Sequence, residues 1–198
     1  MFTGIIEGQG WLKKIESLQA GFRFHIETST ESILNVGDSI SVSGACLTVV
    51  AHVQNEFCVD LSRETIEKTF FCESQVGDLF NLERALTFNS RIQGHWVTGH
   101  IDGTGIVKEL NPGGEFLEMS VKLPAQLSNK LIEKGSIAID GVSLTVNNIK
   151  DEVVHVMLVP ETLKKTTLRQ KKVGDKVQVE LDLIGKYVYQ WMQAYGKY

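Results

Sequence analysis

The chain has 198 residues, 42% of them hydrophobic and 22% charged, with a formal net charge of −4 at pH 7. These values suit a soluble protein of two small domains and argue against nucleic acid as a partner, because phosphate binding needs a concentrated basic surface. No stretch reaches the roughly 20 apolar residues of a membrane span, the opening Met1-Phe2-Thr3-Gly4 lacks a signal-peptide pattern, and Cys46, Cys58 and Cys72 lack C-x-x-C spacing, so a reduced, cytoplasmic protein is expected.

In chain order, short runs alternate between apolar and polar residues. Examples are Phe22-Arg23-Phe24-His25-Ile26, Phe80-Asn81-Leu82-Glu83 and Lys176-Val177-Gln178-Val179-Glu180. Period two over four to six residues predicts half-buried strands. Turns are expected at Val36-Gly37-Asp38, Val76-Gly77-Asp78, Pro112-Gly113-Gly114 and Val173-Gly174-Asp175. Gly8-Gln9-Gly10 and Gly103-Thr104-Gly105 fall in strand-like contexts, where bulges or close backbone approach explain them. Short helices are expected at Ser29 to Leu34 and at Pro124 to Ile132, with Pro124 in the first turn. The tail from Lys186 to Tyr198 sets Tyr187, Trp191 and Tyr195 four residues apart beside Val188 and Met192. That stripe predicts a terminal helix that either covers its own barrel or contacts another subunit.

The chain repeats itself. A shift of 97 aligns Leu47-Thr48-Val49 with Leu144-Thr145-Val146, Glu64-Thr65 with Glu161-Thr162, and Val76-Gly77-Asp78 with Val173-Gly174-Asp175. At the start the shift is 95, matching Thr3-Gly4 to Thr98-Gly99. A period this long describes a duplicated small domain and not a solenoid unit. About six strands per repeat predict an all-β chain of two tandem six-stranded antiparallel Greek-key barrels with a short C-terminal helix. The expected units are 1–95, 96–185 and the tail 186–198.

Each copy brings two small polar side chains to one strand face: Cys46 and Thr48 in the first, Ser143 and Thr145 in the second. With backbone exposed at Gly44 and Gly141, such a face suits a flat heterocycle with amide edges. The same residues also read as ordinary strand formers and a small hydrophobe. Cys46 opposite Ser143 leaves a thiolate nucleophile possible in one copy only, against the plainer reading of an inert thiol. His95 and His100 flank Trp96-Val97-Thr98-Gly99, a spacing that is not a zinc motif, and an imidazole there suits proton transfer. Phosphate-binding, dinucleotide-binding and hydrolase-elbow motifs are missing.

Four motifs carry a resemblance that spans essentially the whole chain. They are Met1-Phe2-Thr3-Gly4-Ile5-Ile6-Glu7, Gly44-Ala45-Cys46-Leu47-Thr48-Val49, the run from Gly94 to Gly103, and Asp140-Gly141-Val142-Ser143-Leu144-Thr145-Val146. In this order they resemble the alpha-chain type of riboflavin synthase. The resemblance implies a homotrimer that needs no cofactor and no metal. Its reaction would be dismutation of two 6,7-dimethyl-8-ribityllumazine molecules by transfer of a four-carbon unit, with active sites formed between neighbouring subunits. It implies a first pocket lined by Gly4, Ile5, Ile6, Cys46, Leu47, Thr48 and the run Asp60, Leu61, Ser62, Arg63, Glu64, Thr65. A second would be lined by Gly99, His100, Ile101, Lys134, Ser143, Leu144, Thr145 and the run Leu158, Val159, Pro160, Glu161, Thr162, Leu163. Cys46, Ser39, His100 and Ser143 would carry the chemistry. Ser43 and Gln93 stand where the family often has asparagine and glycine. Two rivals remain: a non-catalytic lumazine- or flavin-binding antenna protein, and a flavin domain of a ferredoxin-reductase-like enzyme. Association with a lumazine synthase capsid is left open.

Overall fold

A computed structural model describes residues 1–28 and 34–196. Two barrels close in succession. The first is built from β1 (Gly8–Leu18), β2 (Gly21–Thr28), β3 (Ser39–Val42), β4 (Ala45–Val53), β5 (Glu56–Ser62) and β6 (Leu79–Arg84). The second comprises β7 (Gly103–Gly113), β8 (Phe116–Lys122), β9 (Ser136–Ile139), β10 (Val142–Lys150), β11 (Val153–Leu158) and β12 (Lys176–Leu181). Around the first barrel the strands run β1-β2-β5-β4-β3-β6, and the second repeats that cyclic order. All pairings are antiparallel, and closure leaves no open sheet edge.

The duplication extends to irregularities. Register shifts fall between Leu12 and Lys14 and between Val49 and Ala51, and again between Val107 and Glu109 and between Val146 and Asn148. Bulges of this kind bend strands enough to close a small barrel. Gly10 and Gly105 answer to close packing: a Cβ at Gly10 would lie 2.5 Å from Ile26, and one at Gly105 would lie 2.6 Å from Val121.

The interiors differ in filling. The first barrel buries Phe24, Phe57, Phe71 and Phe80, with Phe71 edge-on to both Phe24 and Phe80 at 5.7 and 5.5 Å between centroids. Repeat-related positions in the second barrel carry Met119, Val154, Leu168 and Val177. There the interior also takes in Ile6, from the segment that precedes the first barrel.

The barrels meet about a pseudo-twofold axis at Gly44 and Gly141. A Cβ on either would sit 2.7–2.8 Å from the other's backbone nitrogen, and both have positive φ, so neither position admits a side chain. Buried Asn81 donates through Nδ2 to the Asp140 carbonyl (2.9 Å), while Gln178 donates through Nε2 to the Ser43 carbonyl (2.6 Å). Ser43 takes a left-handed conformation at φ 42°, and its hydroxyl accepts from the Asn81 amide.

The helices depart from expectation. Residues 29–33 lie outside the described residues, so the helix expected there is not addressed; Leu34 is buried. The helix expected at Pro124 to Ile132 is a single turn, α2 (Ala125–Ser128), with Pro124 at its N-cap and not inside it. Two short helices were not anticipated, α1 (Arg63–Lys68) and α3 (Pro160–Lys165). Ser62 caps the first through Oγ, and Pro160 opens the second with its fixed φ. The terminal helix α4 (Leu183–Tyr195) starts before Lys186 because Asp182 accepts from the Ile184 and Gly185 amides. Its apolar stripe is bare: Tyr187, Trp191 and Tyr195 are 64–71% exposed, so α4 does not act as a lid over its own barrel. Among the described residues no helix is long and apolar enough to cross a membrane.

Candidate functional site

Two leaders organise the site: residues 1–7, ahead of the first barrel, and residues 94–102, ahead of the second. They pair antiparallel, the Phe2 amide donating to the Val97 carbonyl (2.7 Å) and the Val97 amide returning to Phe2 (3.1 Å). Each is gripped by a glutamate from the last strand of the barrel that follows it. Glu83 accepts from the Thr3 amide, the Thr3 hydroxyl and the Gly4 amide, and Glu180 accepts from the Thr98 amide, the Thr98 hydroxyl and the Gly99 amide. Burial pushes the Glu83 carboxyl up, against the pull of these donors.

Having been fixed by one barrel, each leader then docks on the other. The Gly4 carbonyl accepts from the Ser143 amide and the Gly99 carbonyl from the Cys46 amide, both at 2.8 Å. The grouping implied by the resemblance is therefore exchanged. Gly4, Ile5 and Ile6 belong with Ser143 and not with Cys46, whereas Gly99, His100 and Ile101 belong with Cys46 and not with Ser143. The buried apolar residues confirm the exchange, because Ile6 packs into the second barrel's interior and Ile101 against the first. The strand amides of Cys46 and Ser143 thus find their acceptors on the opposite leader.

A cavity of about 380 Å³ opens beside Cys46, lined by Ala45, Glu64, Thr65, Lys68, Thr69, Gly99, His100 and Ile101. Cys46 is half-buried and Thr48 exposed on the outer face of β4, with Leu47 between them turned into the barrel core. Ser39 stands directly opposite Thr48 in the β3–β4 pair. His100 is exposed, its amide held by the Thr98 hydroxyl. The second copy repeats the plan with half-buried Ser143 and exposed Thr145 flanking buried Leu144. There the His95 Nδ1 and Ser143 Oγ lie 2.7 Å apart in a hydrogen bond. Burial holds the His95 imidazole below its usual range, opposed only by the charge of Asp182, so the ring is neutral at pH 7.

Several expected lining residues serve the barrel instead. Leu47, Leu61, Leu144 and Leu158 are buried in the two interiors, and Leu163 packs against the second. Asp60 lies outside the Cys46 cavity, in a bidentate ion pair with Arg23 (2.6 and 2.9 Å) that holds its carboxyl below the ordinary range. Ser62 is the α1 cap, and Arg63 pairs with Glu67 in solvent. In the second copy Val159 precedes Pro160 at the start of α3, Glu161 pairs with Lys165, and the Thr162 carbonyl accepts from Thr166. Exposed Lys134 occupies a left-handed turn whose amide donates to Val146 (2.7 Å).

Glu83, Glu180, Lys68 and the pairing of His95 with Ser143 escaped the sequence reading. A signal existed for the glutamates, which stand 97 residues apart, one position before the ends of matching strands, on the face opposite the core residues Leu82 and Val179. No spacing could have brought His95 to Ser143.

This arrangement has known counterparts. Residues 3–85 and 98–182 each match the family described as the lumazine binding domain. The chain is 42% identical to riboflavin synthase of Actinobacillus pleuropneumoniae and 38% identical to that of Bacillus subtilis (strain 168), in each case covering 97% of this chain and 90% of the relative. It is 37% identical to riboflavin synthase of Mycobacterium tuberculosis (strain CDC 1551 / Oshkosh), covering 99% and 100%. Among solved structures, LumP complexed with 6,7-dimethyl-8-(1'-D-ribityl) lumazine superposes with a TM-score of 0.83 at 27% identity, and LumP complexed with riboflavin with 0.84 at 30%. Both alignments cover 91% of this chain and 99% of the other. With two matched domains and near-complete coverage by these relatives, the chain belongs to the riboflavin synthase family.

Proposed function

We propose that the chain converts two molecules of 6,7-dimethyl-8-ribityllumazine into riboflavin and 5-amino-6-ribitylamino-2,4(1H,3H)-pyrimidinedione, one lumazine donating a four-carbon unit to the other. The observation that carries this reading is a single strand-and-leader arrangement built twice, with Cys46 and Thr48 in one copy and Ser143 and Thr145 in the other. A reaction between two copies of one molecule calls for two similar pockets with distinct reactive groups. Holding the reactants in register supplies up to about 7–11 kcal/mol of the barrier in favourable intramolecular cases.

In this proposal Cys46 acts as nucleophile or water positioner, and Ser39, His100 and Ser143 orient the reactants and move protons about the acidic 7-methyl carbon. His95, neutral and bonded to Ser143, orients that hydroxyl. The reactants meet where the Cys46 pocket of one subunit faces the Ser143 pocket of a neighbour in a homotrimer. The bare stripe on α4 supports an assembly of this kind.

Incubation with lumazine alone tests the reading. Two lumazines should disappear for each riboflavin formed; tight fluorescent binding with no riboflavin would instead mark a chromophore carrier, a reading supported by the complexes of the structurally similar LumP with lumazine and with riboflavin.

Replacing Cys46 by serine should lower turnover on the order of 10²-fold while changing stability by less than about 1.5 kcal/mol, because the swap nearly conserves volume at a half-buried site. Parallel losses of turnover and melting temperature would make Cys46 a packing residue. Deletion of residues 186–198 should reduce the molar mass seen by light scattering and make activity depend on protein concentration. An unchanged mass would refute a role for the tail in assembly.

A further inference from the structure

On the outer face of the first barrel, away from the Cys46 cavity, three metal-ligating side chains converge. His25 of β2 is the register partner of Cys58 on β5, and Glu56 lies two residues from Cys58 on the same strand face. The His25 Nδ1 is 3.1 Å from Glu56 Oε1 and 3.3 Å from Cys58 Sγ, and the three ligand atoms all lie within 4.8 Å of one another. Zinc bonds of about 2.0–2.1 Å to nitrogen or oxygen and about 2.3 Å to sulfur, set tetrahedrally, separate N from O by about 3.3 Å and N from S by about 3.6 Å. Both distances to Nδ1 are thus within a few tenths of an ångström of a loaded site, so binding requires only small side-chain movements.

We propose that His25, Glu56 and Cys58 form a zinc site, with water as fourth ligand and Glu16 of β1 as the group that orients the imidazole. The other ring nitrogen, Nε2, is buried and lies 3.5 Å from the Glu16 carboxylate. A carboxylate behind a metal-bound histidine keeps the proton on the far nitrogen and leaves the near lone pair for the ion. Thiolate with imidazole and one carboxylate is a borderline-soft set that suits zinc and disfavours magnesium or calcium.

The local charges favour a dication. Glu16, Glu56 and Asp60 face the cluster against Lys14, which pairs with Glu16, and Arg23, which pairs with Asp60. One carboxylate is therefore left in excess. Burial and the nearby Glu56 raise the Cys58 thiol, so the ion must displace a proton from it: Cys58–SH becomes Cys58–S–Zn and the proton passes to solvent. Glu56 is 44% exposed, which gives the ion a path in.

The duplication acts as an internal control. At the related positions the second barrel has Ser120 opposite His155, with Val153 in place of Glu56. The fold therefore does not require the cluster. Cys58 lies beside Ala51, five residues along β4 from Cys46, or about 17 Å at the rise of a strand, so the ion would tie β1, β2 and β5 together without touching the reacting lumazines. A search by sequence spacing misses it because its ligands come from two paired strands.

Cobalt(II) titration of the metal-free full-length protein tests the site. One equivalent should produce thiolate-to-cobalt charge-transfer absorption with tetrahedral d–d bands, and zinc should displace it. The signal should survive Cys46→Ser and Cys72→Ser, vanish in Cys58→Ser, and weaken about 10-fold or more in affinity in Glu16→Gln. Glu56→Gln, at a half-buried position at the start of β5, gives a second variant should Cys58→Ser fail to fold, and it should also lose affinity at least 10-fold or so. No charge-transfer band at one equivalent, or a band lost with Cys46 or Cys72 and kept without Cys58, overturns the proposal.

Discussion

Gly99→Ala should lower riboflavin formation by about 100-fold or more, the largest loss expected from a single methyl group in this chain. The added Cβ would lie 2.5 Å from the Cys46 Cβ and 2.8 Å from the Cys46 amide nitrogen, at a backbone φ of +81°. Neither contact can be relieved by a rotamer change, since both partners are fixed by the backbone. The second leader must lift off β4, which breaks the bond from the Cys46 amide to the Gly99 carbonyl and moves His100 and Ile101 out of the cavity. Displacement by about 1 Å at a reacting centre suffices for such a loss. Gly37→Ala separates the causes: Gly37 has φ +96° and nothing within 4 Å, so alanine there meets backbone strain alone, worth about 1–2 kcal/mol. Steady-state turnover of both variants decides the matter. Wild-type activity in Gly99→Ala would mean that the leader is not part of the site.

Glu180→Ala should be the most destabilising polar substitution, costing about 3–5 kcal/mol, because it strands two backbone amides, those of Thr98 and Gly99, together with the Thr98 hydroxyl. The carboxylate is only 1% exposed, so water cannot replace it. In a chain of this length that corresponds to a fall in melting temperature of roughly 10 °C. Loosening of the leader should also speed alkylation of Cys46, now covered by Gly99. Glu180→Gln keeps one acceptor oxygen and should lose about half as much. A melting temperature within a degree or two of wild type in Glu180→Ala would show that the leader is held elsewhere.

Much of the fold could be read without coordinates. Period-two alternation marked β2, β6 and β12, and the recurrence of Leu-Thr-Val and Val-Gly-Asp at one spacing predicted two similar barrels. The helices were harder because α1 and α3 have six residues each and follow their strands with at most one residue between. At that length a periodic signal does not develop, and only the Ser62 cap and Pro160 marked their starts. Helix α4 was placed late by three residues because its start depends on Asp182, a cap that stands before the apolar stripe.

The site divides along a similar line. That Cys46 and Thr48 share one face, and Ser143 and Thr145 another, follows from strand geometry alone. Their neighbours do not follow, because alternation assigns a residue to a face and says nothing of which distant segment covers it. The grouping of Gly4 with Cys46 and of Gly99 with Ser143 came from the family resemblance alone. The structure couples the two barrels crosswise, since the leaders pair at Phe2 and Val97 and each then supplies the acceptor that the opposite barrel's strand lacks. Local pattern thus sufficed for strand faces, and its recurrence at one long spacing for the doubled architecture. Contacts spanning eighty residues or more, such as Glu180 with Thr98 or Gly4 with Ser143, depend on how two closed barrels pack about Gly44 and Gly141, and that packing answers to shape and hydrogen-bond demand across the whole chain.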